Sequence, residues 1–408
     1  MTPYCSVRLG SKLYRSGNST AVKIDQRIRA ELADLESRAQ LRRLETPGGI
    51  DLGSNDYLGL STDPRMKQAL VEAAESATRV ASTGSRLLSG HDEIWTTLEE
   101  NFASWVGAEA ALFFNSGYTA NIGLLTALLR PEDTVFSDSA NHASLIDGIR
   151  LTSSRRVIFP HLDLNALEAE LRWAQSSEGA RFIVVESIFS MDGDRAPLRE
   201  LAALAARYHA ELIVDEAHAT GVCGPLGRGC VAEAGLSGRV FATVHTCGKA
   251  LAAAGAFVCG SGALRQFLIN RARPFIFSTA LPPYFAGQVG AGMRLAATMD
   301  AERKQLANLG IFLRNELQQD GFEIAGSDSH IVPVVLGSNE TAVAFAANLR
   351  ARGFGVRAIR PPTVPPGTSR LRMSLTSKLT QSTLGELVSA LVQIRKERAP
   401  TQAISLPQ

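Results

Sequence analysis

The chain has 408 residues, 45% of them apolar and 20% charged, with a formal net charge of +2. That is enough for one large α/β domain and a smaller one, and its scattered basic residues exclude the cationic stripe that a nucleic acid or an acidic membrane requires. No apolar run approaches the roughly 18 residues of a membrane span, the polar first stretch lacks the apolar core of a signal peptide, and five cysteines without paired spacing predict a reducing, cytoplasmic setting with no disulfide framework.

Residues 1–22 show no periodicity and read as an arm. Apolar residues at helical spacing (Ile28, Leu32, Leu35, Leu41) predict a helix over 24–44, so 1–50 form an N-terminal arm and helix. A short strand and turn follow over 50–60, then helices over 64–79 and 94–106 around a glycine-flanked loop at 84–91. From 110 onward strands and helices alternate. Apolar runs at 110–114, 134–137, 156–159, 181–186, 211–215, 240–244 and 256–259 predict about seven strands. The helices between them, at 119–129, 163–175 and 197–208, imply a mostly parallel sheet covered on both faces. This large domain spans 51–285. A long helix over about 284–319 opens a small α+β domain at 286–398. It has short strands at 330–336, 354–358 and 370–374, and helices at 340–352 and 383–396, the last opening on a Thr383…Glu386 capping-box pattern. Residues 399–408 are a tail.

Several positions stand out chemically. Lys249 follows an apolar strand end, where an ammonium must be solvated, paired or used. Asp215 and His218 lie three residues apart at the end of another strand. The carboxyl ends of parallel strands are where open α/β sheets gather ligand chemistry. The strand–turn–helix at Asn115-Ser116-Gly117-Tyr118 aims free amides at a helix start, a phosphate site by geometry. His142, in Asn141-His142-Ala143-Ser144, reads by itself as a loop histidine, and Cys223 and Cys230 read as small buried hydrophobes rather than metal ligands.

Taken together, Lys249, the Asp215/His218 pair, His142 and the two-domain layout resemble the fold-type I enzymes that use pyridoxal 5'-phosphate. Within them the chain is similar to the α-oxoamine synthases, which condense an amino acid with an acyl thioester and release carbon dioxide. The resemblance covers roughly residues 25–396. It rests on Ser54-Asn55-Asp56-Tyr57-Leu58-Gly59-Leu60, Gly84-Ser85-Arg86-Leu87-Leu88-Ser89-Gly90, Ser190-Met191-Asp192-Gly193-Asp194, Asp215-Glu216-Ala217-His218 and Arg370-Leu371-Arg372. The segment Ala358-Ile359-Arg360-Pro361-Pro362-Thr363-Val364-Pro365-Pro366-Gly367-Thr368, with 270–279, resembles the branch that joins L-alanine to a pimeloyl thioester of coenzyme A or a carrier protein in biotin biosynthesis.

The resemblance implies a role for each residue. Lys249 would hold the cofactor as a Schiff base and later act as the base at the amino acid Cα. Asp215 would pair with the pyridine nitrogen, His142 would stack on the ring, and His218 and Ser190 would meet its phenolic edge. Ser116, Gly117, Tyr118 and Thr246 would hold the phosphate. Ser278 and Thr279 would reach the phosphate of a neighbouring subunit, which makes the enzyme a homodimer with shared sites. Arg372 would hold the amino-acid carboxylate, Asn55 would touch substrate, and Arg42 would meet the far carboxylate of the pimeloyl chain.

Several features depart from the family pattern: His245 and Cys247 beside the lysine, and the run Ala252-Ala253-Ala254. His245 there implies either an altered cofactor pocket or a tolerated substitution. The rival readings are a glycine C-acetyltransferase or another acyl specificity, and an aminotransferase of the same fold. A non-catalytic partner subunit is opposed by the presence of Lys249, and a DNA-binding regulator by the short stretch before the resemblance begins.

Overall fold

In a computed structural model, the described residues are 19–46, 48–176 and 178–398. A seven-stranded sheet forms the centre: β1 (Ala110–Phe114), β2 (Thr134–Asp138), β3 (Arg155–Phe159), β4 (Arg181–Glu186), β5 (Ala210–Asp215), β6 (Ala242–Thr246) and β7 (Ala256–Gly260), in the spatial order β1-β7-β6-β5-β4-β2-β3. Every pairing is parallel except the two made by β7.

Both faces of the central strands are dry, and the sequence shows why. Successive side chains of a strand point to opposite faces. Phe182, Val184, Ile213 and Val244 enter one core cluster, whereas Ile183, Val185, Leu212 and Val214 enter another. Strands buried on two sides carry continuous apolar runs instead of alternation, which is why the central strands were readable; β3 at the edge is largely exposed. The parallel strands deliver the residues after Phe114, Asp138, Glu186, Asp215 and Thr246 to one edge of the sheet. The register places Glu186 directly beside Asp215.

The C-terminal part holds a three-stranded antiparallel sheet with Ser369–Ser374 at its centre, flanked by Ile331–Gly337 and Arg357–Ile359. Ile50–Asp51 pairs in parallel with Phe354–Gly355, and Ser374 N–H donates to the Leu52 carbonyl at 2.8 Å. The Asn55 segment is thereby tied to the strand that carries Arg372.

The structure revises four expected elements. The N-terminal helix is Ser19–Ser37. It stops where Ala39 turns to φ 52° and Gln40 N–H reaches back to the Leu35 carbonyl, so Leu41 and Arg42 lie beyond it. The expected long helix is two, Tyr284–Ala297 and Asp300–Gln319, broken at the non-helical Met299. The strand expected over 354–358 splits around Val356, because Phe354–Gly355 and Arg357–Ile359 pair with different partners. The last helix runs Gln381–Arg398. Its start is capped by Thr380, whose hydroxyl oxygen accepts the Thr383 N–H at 3.1 Å, so Thr383 is inside the first turn.

Candidate active site

A cavity of about 320 Å³ opens at the carboxyl edge of the sheet. Asn55, Ser116, Gly117, Tyr118, His142, Asp215, His218, Thr246 and Lys249 line it. Nine of the residues expected from the sequence therefore share one space.

Its phosphate-type corner is built by the helix Gly117–Leu128. Ser116 caps that helix reciprocally: its hydroxyl oxygen accepts the Thr119 N–H at 3.2 Å, while Thr119 Oγ1 accepts the Ser116 N–H at 3.1 Å. The first amides of a helix have no partner within it and carry its positive end. Gly117 is required here, since a Cβ on it would stand 2.3 Å from Thr246 Cγ2.

On the floor, Asp215 is 5% exposed. Its two oxygens accept from Asn121 Nδ2 at 2.7 Å and from the Ala217 N–H at 2.8 Å. Asn121 Nδ2 also reaches Ser144 Oγ at 2.9 Å, and Ser144 Oγ lies 2.8 Å from His142 Nδ1. The Ser144 N–H donates to that same Nδ1, which leaves the proton of a neutral His142 on Nε2. Burial lowers the pKa of His142, the nearby Asp215 opposing it.

Lys249 Nζ lies 3.0 Å from His218 Nε2. His218 Nδ1 lies 2.6 Å from the Tyr57 hydroxyl, which donates to Asn55 Oδ1 at 3.0 Å. A hydroxyl has one proton to give, so His218 must donate from Nδ1 and accept from Lys249 at Nε2. The electrostatics agree. Burial, then the Lys249 charge, hold His218 well below its ordinary pKa, and burial pushes Tyr57 up to about 12. Lys249 is brought down from an ordinary 10.5 to about 8 by burial, against the pull of Asp215 and Glu186. The chain of contacts continues to Arg372. Its Nη1 donates to Asn55 Oδ1 at 3.2 Å and Ser374 Oγ at 2.6 Å, and its Nε to the Ser190 carbonyl at 2.5 Å. Ser190 is thus joined to the site through its main chain.

Five expected residues are outside the cavity lining: Arg372 and Ser190 reach it through Asn55, and three others lie apart. Arg42 is exposed and bonds Thr363 of the proline-rich loop at 3.2 Å. Ser278 is half-buried and Thr279 exposed, with the Thr279 carbonyl held by Asn115 Nδ2 at 2.8 Å. His245 does not touch the cavity. It points to the opposite face of β6 from Thr246, with its Nδ1 2.9 Å from Thr220 Oγ1 and its Nε2 2.8 Å from Thr243 Oγ1.

Sequence reasoning missed Asn121, Ser144, Glu186 and the hydroxyl of Tyr57. Glu186 also lines the cavity. Burial and then the neighbouring Asp215 raise its pKa well above the ordinary range. Asn121 Oδ1 and Glu186 Oε1 are buried without a hydrogen-bond partner. Buried polar atoms rarely stay unpaired, and both residues line the cavity, where a protonated ring nitrogen would bring a donor. The donor set, the glycine corner and the buried lysine fit pyridoxal phosphate.

Comparison with known proteins agrees. The family model described as aminotransferase class I and II matches residues 47–391. A Geobacter sulfurreducens protein called 8-amino-7-oxononanoate synthase is 43% identical over 385 residues, covering 91% of this chain and 98% of its own length. A serine palmitoyltransferase variant from S. paucimobilis, solved with a bound PLP–myriocin aldimine, superposes with a TM-score of 0.85 at 29% identity, over 93% of this chain and 99% of that one. An 8-amino-7-oxononanoate synthase from Francisella tularensis gives 0.75 at 28% identity, over 86% and 98%. The chain belongs to the class I and II aminotransferase family, in its α-oxoamine synthase branch of fold-type I transferases that depend on pyridoxal phosphate.

Proposed function

We propose that this protein joins L-alanine to a pimeloyl thioester, with loss of carbon dioxide, to give 8-amino-7-oxononanoate. The observation that carries the chemistry is the cavity floor: an amine of lowered basicity, Lys249, within 3.0 Å of a neutral His218 and in one space with Asp215. The choice of substrates rests on relatives at 43% identity that bear the name 8-amino-7-oxononanoate synthase.

Bound in this cavity, pyridoxal phosphate supplies an electron sink for the carbanion of the amino acid. The chain supplies the rest. Ser116, Gly117, Tyr118 and Thr246 receive the phosphate at the helix start. Asp215, held by Asn121 and the Ala217 amide, presents its carboxyl to the pyridine nitrogen, and His142 lies against the ring. Arg372, already fixed on Asn55, Ser374 and the Ser190 carbonyl, pairs with the amino-acid carboxylate, a task suited to a planar guanidinium. Lys249 Nζ takes the Cα proton. With a pKa of about 8 it is near the working pH, as an efficient base should be. Arg42 meets the distal carboxylate of the acyl chain from beside Thr363.

Ser278 and Thr279, outside the cavity of their own chain, serve the phosphate of a second copy, so the working unit is a homodimer. The exposed stripe Ile24, Ile28 and Leu32 on the first helix supports such a partner. No helix among the described residues is long and apolar enough to cross a membrane.

The test is turnover by the purified protein supplied with cofactor. L-alanine with pimeloyl-coenzyme A should release free thiol in step with a product of the mass of 8-amino-7-oxononanoate. Product from glycine and acetyl-coenzyme A alone would move the assignment to a glycine C-acetyltransferase.

A further inference from the structure

The loop that leaves the His218 turn carries two cysteines for which the condensation has no use. Cys223 and Cys230 are free thiols, 4% and 5% exposed. Their sulfurs and a carboxylate oxygen of Glu233 all lie within 4.8 Å of one another. The loop is closed at its neck, where the Gly229 N–H donates to the Cys223 carbonyl at 2.8 Å. Gly224 and Gly229, at φ 71° and 110°, provide the backbone turns there. The two cysteines therefore face each other across a fixed loop.

Arg195 completes the cluster. Its Nη2 lies 3.3 Å from Cys223 Sγ, and its Nη1 lies 2.7 Å from Glu233 Oε2. A cation already bridges the sulfur and the carboxylate, which disfavours a metal ion at the same place. Beside the cluster is a cavity of about 260 Å³ lined by Ser187, Arg195, Cys230 and Glu233 among others. It gives a small solute a path to Cys230, and to Arg195, which itself touches Cys223.

We propose that Cys223 and Cys230 form a reversible redox-modification site that closes to a disulfide on reaction with hydrogen peroxide. The Cys230 sulfur, which lines the cavity, attacks one peroxide oxygen, the O–O bond breaks, and hydroxide leaves with the Cys230 proton as water. The cation of Arg195 stands 3.3 Å from the Cys223 sulfur, which completes the chemistry. The Cys223 sulfur then attacks the resulting sulfenic acid, the S–S bond forms, and a second water departs with the Cys223 proton. Two thiols give up two electrons in all, and the peroxide is reduced to two waters. The sulfurs, within 4.8 Å of each other, need to close by less than about 3 Å to reach disulfide length. The site is tied to the catalytic floor, because the Cys230 and Val231 amides donate to the buried Glu216 at 2.9 and 2.6 Å, next in the chain to Asp215.

The experiment treats the holoenzyme with stoichiometric hydrogen peroxide and maps it without reductant. Arg228 lies between the two cysteines, so trypsin separates peptides 208–228 and 229–239 unless a disulfide joins them. The expected result is the joined pair, two hydrogens lighter than the sum of the free peptides and released by dithiothreitol. Cys223→Ser should abolish the joined pair and leave a sulfenic acid at Cys230 that dimedone traps. Arg195→Lys should slow cross-linking several-fold at equal peroxide. Separate peptides that both alkylate fully after peroxide treatment would overturn the proposal, as would sulfinic or sulfonic acid as the sole product.

Discussion

Tyr57→Phe isolates one oxygen atom in the chain of contacts from Lys249 to Arg372. The ring stays, packed 4.1 Å centroid to centroid on His330, so the change tests the hydroxyl alone. Without it His218 Nδ1–H faces a fully buried site with no acceptor. The ring gains nothing by moving its proton to Nε2, since that nitrogen would then present N–H to the Lys249 amine 3.0 Å away. Asn55 Oδ1 loses one donor but keeps Arg372 and Ser374. The cost is thus one orphaned donor, about 1–3 kcal/mol. Urea unfolding should show that loss. The kcat/KM for L-alanine should also fall by about tenfold or more, because 1.4 kcal/mol corresponds to a factor of ten and the misplaced imidazole no longer orients the base. A variant with an unchanged urea midpoint and kcat/KM within a factor of two would refute the assigned tautomer and the relay built on it.

Three further outcomes follow from the geometry. Gly117→Ala should weaken cofactor binding, because its Cβ collides with Thr246 Cγ2 at 2.3 Å; Thr246→Ser in the same chain removes that methyl, and titration with pyridoxal phosphate should show partial recovery. His161 is opposed by its burial, yet hydrogen bonds to Asp138 and Asp194, at 2.8 and 2.6 Å, raise it to about 10. A histidine whose folded pKa is raised stabilises fully below its unfolded value and loses that contribution as pH climbs through the folded one. The penalty of His161→Gln in denaturant unfolding should therefore be largest near pH 6 and fade toward pH 10. For Lys249, whose pKa is lowered to about 8, the unfolded chain holds the extra proton between about 8 and 10.5. Apoprotein stability should rise with pH across that window, and Lys249→Met should flatten the rise.

Much of this site was legible because parallel strands put their carboxyl ends on one edge. Once the apolar runs before Asp215 and Lys249 were read as strands, the two had to converge, and the same signal at the end of the neighbouring strand points to Glu186. What could not be read were contacts made across long sequence separations by residues with ordinary local roles. Asn121 is one turn into a helix and bonds Asp215, 94 positions away. Tyr57 meets His218 across 161 positions. The orientation of His245 was available and overlooked: it directly precedes Thr246 on one strand, so the two must face opposite sides. The break at Met299 carries no Gly or Pro to announce it. The split at Val356 follows from the partners its flanks find, which only the tertiary structure determines.

The central claim is that Lys249 is the amine that holds the cofactor. Borohydride reduction of the holoenzyme fixes pyridoxal phosphate to whichever lysine carries it. Trypsin then fails to cut at that residue. The account predicts one labelled peptide spanning 240–265, uncut after Lys249. Cleavage after Lys249 with the label on another lysine, or no label after cofactor is supplied, would contradict it.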